Sequence, residues 1–148
     1  PPWPVLGLPR IVTSGAALER VTRLVDRPAN GVCLCTGSLG ANPKVATALP
    51  AIAEGLGPRI HFAHLRNVIS TGDRRFHESP HPDGNVDLRA VVAQLRATGF
   101  SGPLRPDHGR MIWGEGDRTE ARPGYGLYDR ALGAAYLKGL WRATEPTD

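Results

Sequence analysis

Three short apolar runs, each ending in a polar residue and each separated from the next by a helical stretch, constrain this chain most. Val32-Cys33-Leu34-Cys35, Ile60-His61-Phe62-Ala63-His64 and Pro103-Leu104-Arg105-Pro106-Asp107 close on Cys35, His64 and Asp107. Each run leads into a loop bearing glycine, asparagine or arginine. Brief apolar strands are those covered on both faces, and strand–helix alternation predicts parallel pairing through βαβ units. In parallel sheets and barrels, active sites are built at the carboxyl ends of the strands. Polar residues at three such ends converge on one point.

The helical stretches follow from caps and periodicity. Thr13-Ser14 caps a helix predicted over Gly15 to Asp26, with Ala17, Leu18, Val21, Leu24 and Val25 as its apolar face. Thr36 to Gly40 reads as a loop, and a short helix starts near Pro50 and stops at Gly57-Pro58. The second strand is expected from about Arg59 to His64, followed by a long polar segment, Leu65 to Asn85. Asp87 opens a helix carrying Leu88, Val91, Val92, Leu95 and Phe100, with Gly99 as its stop. The third strand is expected over Leu104 to Asp107, and a last helix spans Tyr125 to Arg142.

At 148 residues the chain is the size of one ordinary domain. A (β/α) barrel needs eight units and about 250 residues. The expected fold class is therefore α/β, a TIM-type (β/α) barrel, with residues 1–148 forming the C-terminal part of that single domain: about three strand–helix units plus a leading helix. The opening Pro1-Pro2-Trp3-Pro4, which lacks a methionine, fits a segment of a longer protein.

Composition excludes several classes. An apolar fraction of 41% and a charged fraction of 22% describe a globular chain. No apolar run approaches a membrane span and no signal-peptide pattern is present, so no membrane partner is expected. The net charge of +4 arises from 16 arginines and two lysines, dispersed among Asp and Glu without a clustered stripe, which argues against nucleic acid. Cys33 and Cys35 are too close along a strand for an unstrained disulfide, and a reducing cytoplasm is the expected compartment.

Cys33 and Cys35 share a strand face by the period of two. Cys35, beside the loop, is placed to ligate a metal as thiolate; Cys33 is expected one layer deeper, and the competing reading makes both small core hydrophobes, a common role for free cysteines. His64 shares its face with Ile60 and Phe62, while His61 is expected to face the helices. Arg66 and Asn67 at the strand mouth can orient an anionic, hydroxylated ligand. Asp107-His108-Gly109-Arg110 combines a hard oxygen ligand, a group titrating near neutrality, a flexible glycine and a guanidinium. Tyr125 lies between Gly124 and Gly126, which permit close backbone approach; Tyr128 and Tyr136 fit packing roles. His77-Glu78-Ser79-Pro80-His81 spells a zinc-protease pattern, but Pro80 forbids the helix that this chemistry needs. His77 and Glu78 belong either to a loop over the site or to a plain surface loop.

Six stretches stand in order along the chain: Leu6-Gly7-Leu8-Pro9-Arg10, Cys35-Thr36-Gly37-Ser38-Leu39-Gly40-Ala41, His61-Phe62-Ala63-His64-Leu65-Arg66-Asn67, Phe76-His77-Glu78-Ser79, Pro106-Asp107-His108-Gly109-Arg110-Met111-Ile112-Trp113-Gly114, and Arg122-Pro123-Gly124-Tyr125-Gly126-Leu127-Tyr128-Asp129-Arg130-Ala131-Leu132-Gly133. Together they resemble the mannonate dehydratase family. The resemblance implies a TIM-type barrel lyase of glucuronate catabolism that uses Mn²⁺ or Fe²⁺ to convert D-mannonate to 2-keto-3-deoxy-D-gluconate and water. It implies Cys35, His64 and Asp107 as metal ligands and His108 and Tyr125 as acid–base residues. Arg66, Asn67, His77 and Arg110 are the candidate contacts to the sugar-acid substrate. A further family ligand, a histidine in a His-Pro-Asp-Asp stretch upstream of the segment matching Pro1, is not in this chain, and Arg118 to Ala121 resembles a small insertion. A homo-oligomer is expected at full length. The competing readings are a related metal-dependent sugar isomerase and an inactive fragment or interaction module.

Overall fold

The structure, a computed structural model, describes residues 1–145. Three strands, β1 (Val32–Cys35), β2 (Ile60–His64) and β5 (Leu104–Arg105), form one sheet in the order β1-β2-β5, and both pairings are parallel. The alternation of strands with helices α1 (Gly15–Leu24), α4 (Leu49–Leu56), α5 (Leu88–Ala97) and α6 (Leu127–Ala143) gives the expected α/β architecture. On one side of the sheet Leu34 and Ala63 are fully buried, in a core shared with Leu49, Ala53, Val91 and Leu95. On the other side Cys33 is exposed and Phe62 half-buried.

The caps act as their side chains dictate. Ser14 Oγ accepts from Ala17 N at 3.2 Å, and Asp87 accepts from Ala90 N at 2.9 Å, each satisfying a donor that a helix start leaves free. Gly99, with φ +74°, ends α5 in the left-handed conformation that glycine adopts without penalty.

Several elements differ from the sequence reading. Thr36–Gly40 is a short helix, α2, rather than a loop. Its first residue is clamped: Thr36 Oγ1 donates to Arg66 O at 2.6 Å and accepts from Arg66 N at 3.0 Å. A second short helix, α3 (Pro43–Ala46), follows, with Asn42 as its cap. The segment Leu65 to Asn85 contains an antiparallel hairpin, β3 (Asn67–Gly72) with β4 (Arg75–Ser79). The third strand is shorter than expected, because Pro106 has no N–H to give and Asp107 turns off at φ +63°.

Three side-chain placements also differ. A register irregularity between Val32 and Cys33 sets Ile60 opposite Val32 and Phe62 opposite Cys33, so Ile60 is buried among the core residues instead of sharing the His64 face. His61 is exposed and lies against Gly31, where a Cβ would strike its ring, rather than under the helices. Cys33 is exposed rather than a layer deeper. On α1, Leu18 packs on the core, but Leu24 and the following Val25 are exposed.

Candidate metal centre and active site

β1 and β2 end side by side, so Cys35 and His64 are direct register partners. β5 pairs with the other edge of β2, and two residues beyond it Asp107 reaches the same place. One donor atom each from Cys35, His64 and Asp107 lies within 4.8 Å of the other two. His64 Nδ1 is 3.4 Å from Asp107 Oδ1, and Cys35 Sγ is 4.0 Å from Asp107 Oδ2. These separations exceed ordinary hydrogen bonds, which leaves room between the donors.

The surrounding groups hold the donors rather than satisfy them. Ser38 Oγ donates to Cys35 Sγ at 3.1 Å, from the first turns after the strand. Arg66 Nε lies 3.4 Å from Asp107 Oδ2, its side chain crossing Gly37 where any Cβ would collide with it. Buried His64 Nε2 meets no hydrogen-bond partner in the protein. Buried polar atoms are almost always paired, so an imidazole with one nitrogen without a partner and the other 3.4 Å from the Asp107 carboxylate, beyond an ordinary hydrogen bond, fits a metal ligand. Sulfur, imidazole and carboxylate together suit a divalent transition ion such as Fe²⁺, Mn²⁺ or Zn²⁺.

Beside this cluster the chain assembles a second pair. Gly109 N donates to Gly124 O and Gly126 N to Gly109 O, both at 3.0 Å, splicing the Asp107 loop to the start of α6. The splice sets the rings of His108 and Tyr125 with centroids 4.8 Å apart. Gly126 is required here, because a Cβ would run into the carbonyl of Arg110. Glu115 is buried and accepts from Leu127 N at 2.6 Å, capping α6 from a distant turn. His108 Nδ1 faces Glu78 Oε1 at 3.0 Å, and the same carboxylate oxygen pairs with Arg66 Nη1.

Of the sequence-derived candidates, Cys35, His64, Arg66, Asp107, His108 and Tyr125 come together; three do not. Asn67 is buried and its amide is fully used: Nδ2 donates to His81 O and Val86 O, and Oδ1 accepts from Val68 N and Val86 N. Arg110 is locked in a two-pronged pair with Asp129, at 3.0 and 2.9 Å. That pair raises the Arg110 pKa. Burial pushes Asp129 upward, but the Arg110 hydrogen bonds outweigh it and hold the carboxyl below its ordinary range. His77 is exposed and turned to its own strand, its Nδ1 2.9 Å from Glu78 O.

The His77–His81 pattern forms no helix, since Arg75–Ser79 is a strand. Alternation along that strand sends Glu78, not His77, toward His108. Glu78, which the sequence left between a loop over the site and a plain surface loop, reaches His108, and Ser38 is the contributor that sequence reasoning passed over. Strand alternation puts Glu78 on the face opposite His77, and the three-residue spacing from Cys35 would have flagged Ser38. His81 is buried, with Nε2 3.0 Å from Pro106 O; burial lowers its pKa.

A parallel α/β sheet with a mixed sulfur, nitrogen and oxygen donor set at its strand ends is the framework of a metal-dependent enzyme site. Residues 1–148 match the family described as D-mannonate dehydratase (UxuA), and the chain belongs to that family. It is 55% identical over 147 residues to mannonate dehydratase 2 of Halalkalibacterium halodurans, covering 97% of this chain and 41% of the relative. It is 52% identical to the mannonate dehydratase of Thermotoga neapolitana, covering 97% of this chain and 39% of the relative. The crystal structure of mannonate dehydratase from Streptococcus suis serotype 2 superposes with a TM-score of 0.84 at 45% identity, covering 97% of this chain and 41% of that one. The chain thus spans about two fifths of the length of these relatives.

Proposed function

We propose that the protein containing this chain dehydrates D-mannonate to 2-keto-3-deoxy-D-gluconate and water, and that residues 1–148 supply the C-terminal part of a TIM-type barrel. The convergence of Cys35, His64 and Asp107 beside the His108–Tyr125 pair carries this reading. Support for the barrel comes from the three all-parallel strands, their open face and the greater length of the relatives. Among the described residues no helix is long and apolar enough to cross a membrane. The unpaired cysteines suit a reducing cytoplasm.

The reaction removes a weakly acidic proton from C2, beside the carboxylate, and expels the C3 hydroxyl as water. His108 and Tyr125, ring against ring, are the two groups placed to take one proton and give the other. Cys35 as thiolate, His64 and Asp107 would hold Mn²⁺ or Fe²⁺, which when bound polarises substrate oxygens and stabilises the developing negative charge. Arg66, buried between Glu78 and Asp107, offsets the anionic character of the site. Gly109 and Gly126 keep the His108 and Tyr125 backbones in contact, so the distance between the two proton carriers is fixed.

The test is turnover of D-mannonate by the full-length protein with Mn²⁺ or Fe²⁺, with the product identified by mass and by its keto-deoxy carbons. A dehydrated product, lost in His108→Ala, is the expected result. An isomerised sugar acid of unchanged mass would establish a sugar isomerase instead. Residues 1–148 expressed alone are expected to give no turnover.

A further inference from the structure

We infer that Glu78 is a positioning residue for His108, fixing which imidazole nitrogen is presented to the substrate. The inference rests on the reading that His108 exchanges a proton with substrate. His108 Nδ1 has two neighbours: Glu78 Oε1 at 3.0 Å and Arg66 Nη1 at 2.8 Å. A guanidinium N–H can only donate, whereas a carboxylate oxygen accepts. Facing Arg66 alone, Nδ1 would present its lone pair and the ring hydrogen would sit on Nε2. With Glu78 in place, Nδ1–H donates to the carboxylate and the lone pair is left on Nε2. That nitrogen lies 3.8 Å from Asp107 Oδ2, on the side of the metal-ligand cluster. A carboxylate behind a histidine sets tautomer and ring orientation in this way in other enzymes.

Glu78 is held firmly enough for this role. In the hairpin it stands opposite Val68, which is fully buried, and next to Ser79, which pairs with Asn67. The four hydrogen bonds of Asn67 anchor that end of the hairpin, and a side chain at Gly84 would collide with it. Arg66, the other partner of Glu78, is pinned through its backbone by Thr36. The carboxylate therefore sits between two fixed groups, and its pairing with Arg66 Nη1 gives that guanidinium an acceptor other than His108 Nδ1, although the nitrogen stays 2.8 Å from the ring.

The experiment measures kcat, KM and metal content of the full-length protein with D-mannonate and Mn²⁺. Glu78→Ala is expected to lower kcat by about 100-fold, with KM and metal content close to wild type. Glu78→Gln, which keeps an acceptor oxygen, is expected to lower it by about tenfold. Added formate should restore part of the kcat of Glu78→Ala and none in His108→Ala. Retention of kcat within about threefold in Glu78→Ala would overturn the inference, as would a loss that follows the metal and ignores formate. If the alanine variant does not fold, Glu78→Gln decides: within about threefold of wild type, the inference fails. Full activity in His108→Ala would instead overturn the proton-transfer reading on which this one rests.

Discussion

Two buried polar clusters lie side by side in this molecule and are built on opposite principles. Behind the sheet end, the amide of Asn67 and the carboxylate of Asp129 are each closed upon near neighbours, although Ser79 Oγ and His81 Nδ1 beside them are buried without a protein partner. Asn67 uses both donors and accepts twice, at 2.8 to 3.1 Å, and Asp129 accepts three times from Arg110, at 2.8 to 3.0 Å. At the strand ends, His64 and Cys35 stand 3.4 and 4.0 Å from Asp107, all three donors lie within 4.8 Å of one another, and His64 Nε2 has no protein partner. Both clusters are polar and at least partly buried. Satisfaction separates them: closed networks fix the scaffold, while spare capacity around a common point leaves a place for a ligand.

The sharpest way to break this contrast is to remove one member of each cluster. Asp107→Ala in the full-length protein is expected to abolish metal retention and lower kcat/KM by more than about 1,000-fold. Metal analysis and kinetics check it, and the variant should unfold at nearly the same denaturant concentration as metal-free wild type. Asn67→Ala should do the reverse. It leaves two backbone N–H and two carbonyl groups without their partner, at a cost of about 2–4 kcal/mol by denaturant titration, while folded protein keeps its metal. Equal effects of the two substitutions on metal and stability would erase the distinction.

Smaller perturbations test how tightly the closed cluster is packed. Gly133→Ala on α6 would ordinarily favour the helix, yet its Cβ would meet the ring of buried His81, itself bonded to Pro106 O. The expected outcome is destabilisation by about 1–3 kcal/mol, read by thermal or chemical unfolding. The smallest effect is one of pH. Burial holds His81 below its ordinary 6.5, so the folded state binds its proton more weakly than the unfolded chain does. Its contribution is fully present above 6.5 and is lost as pH falls from there through the folded value. Stability measured over this range should fall less steeply in His81→Gln.

The metal-ligand candidates were legible because a short apolar run leading out of a parallel sheet leaves few reasons for a polar terminal residue; Cys35 and His64 close their strands, and Asp107 follows β5 by two residues. Helices α1 and α5 were legible through Ser14, Asp87 and Gly99, whose preferences are local. The α2 turn was not, since Thr36-Gly37-Ser38 has loop composition and becomes helical through long-range bonds from Thr36 to Arg66. Nor was the β3–β4 hairpin, whose turn carries Asp73 and Arg74 and whose strands lack a clean apolar alternation. Missing that hairpin led to the choice of His77 over Glu78, since only the strand period separates an exposed side chain from one that reaches His108. Asn67 and Arg110 bore the right chemistry, but tertiary partners, Val86 and Asp129, had already claimed it.

The central claim is that sulfur, imidazole and carboxylate at the three strand ends bind one metal ion. Its most direct test is cobalt substitution of the full-length protein, followed by near-ultraviolet absorption in wild type and Cys35→Ala. Thiolate-to-cobalt charge transfer in the wild type and its disappearance in Cys35→Ala is the predicted result. An unchanged charge-transfer band in the variant would contradict the account.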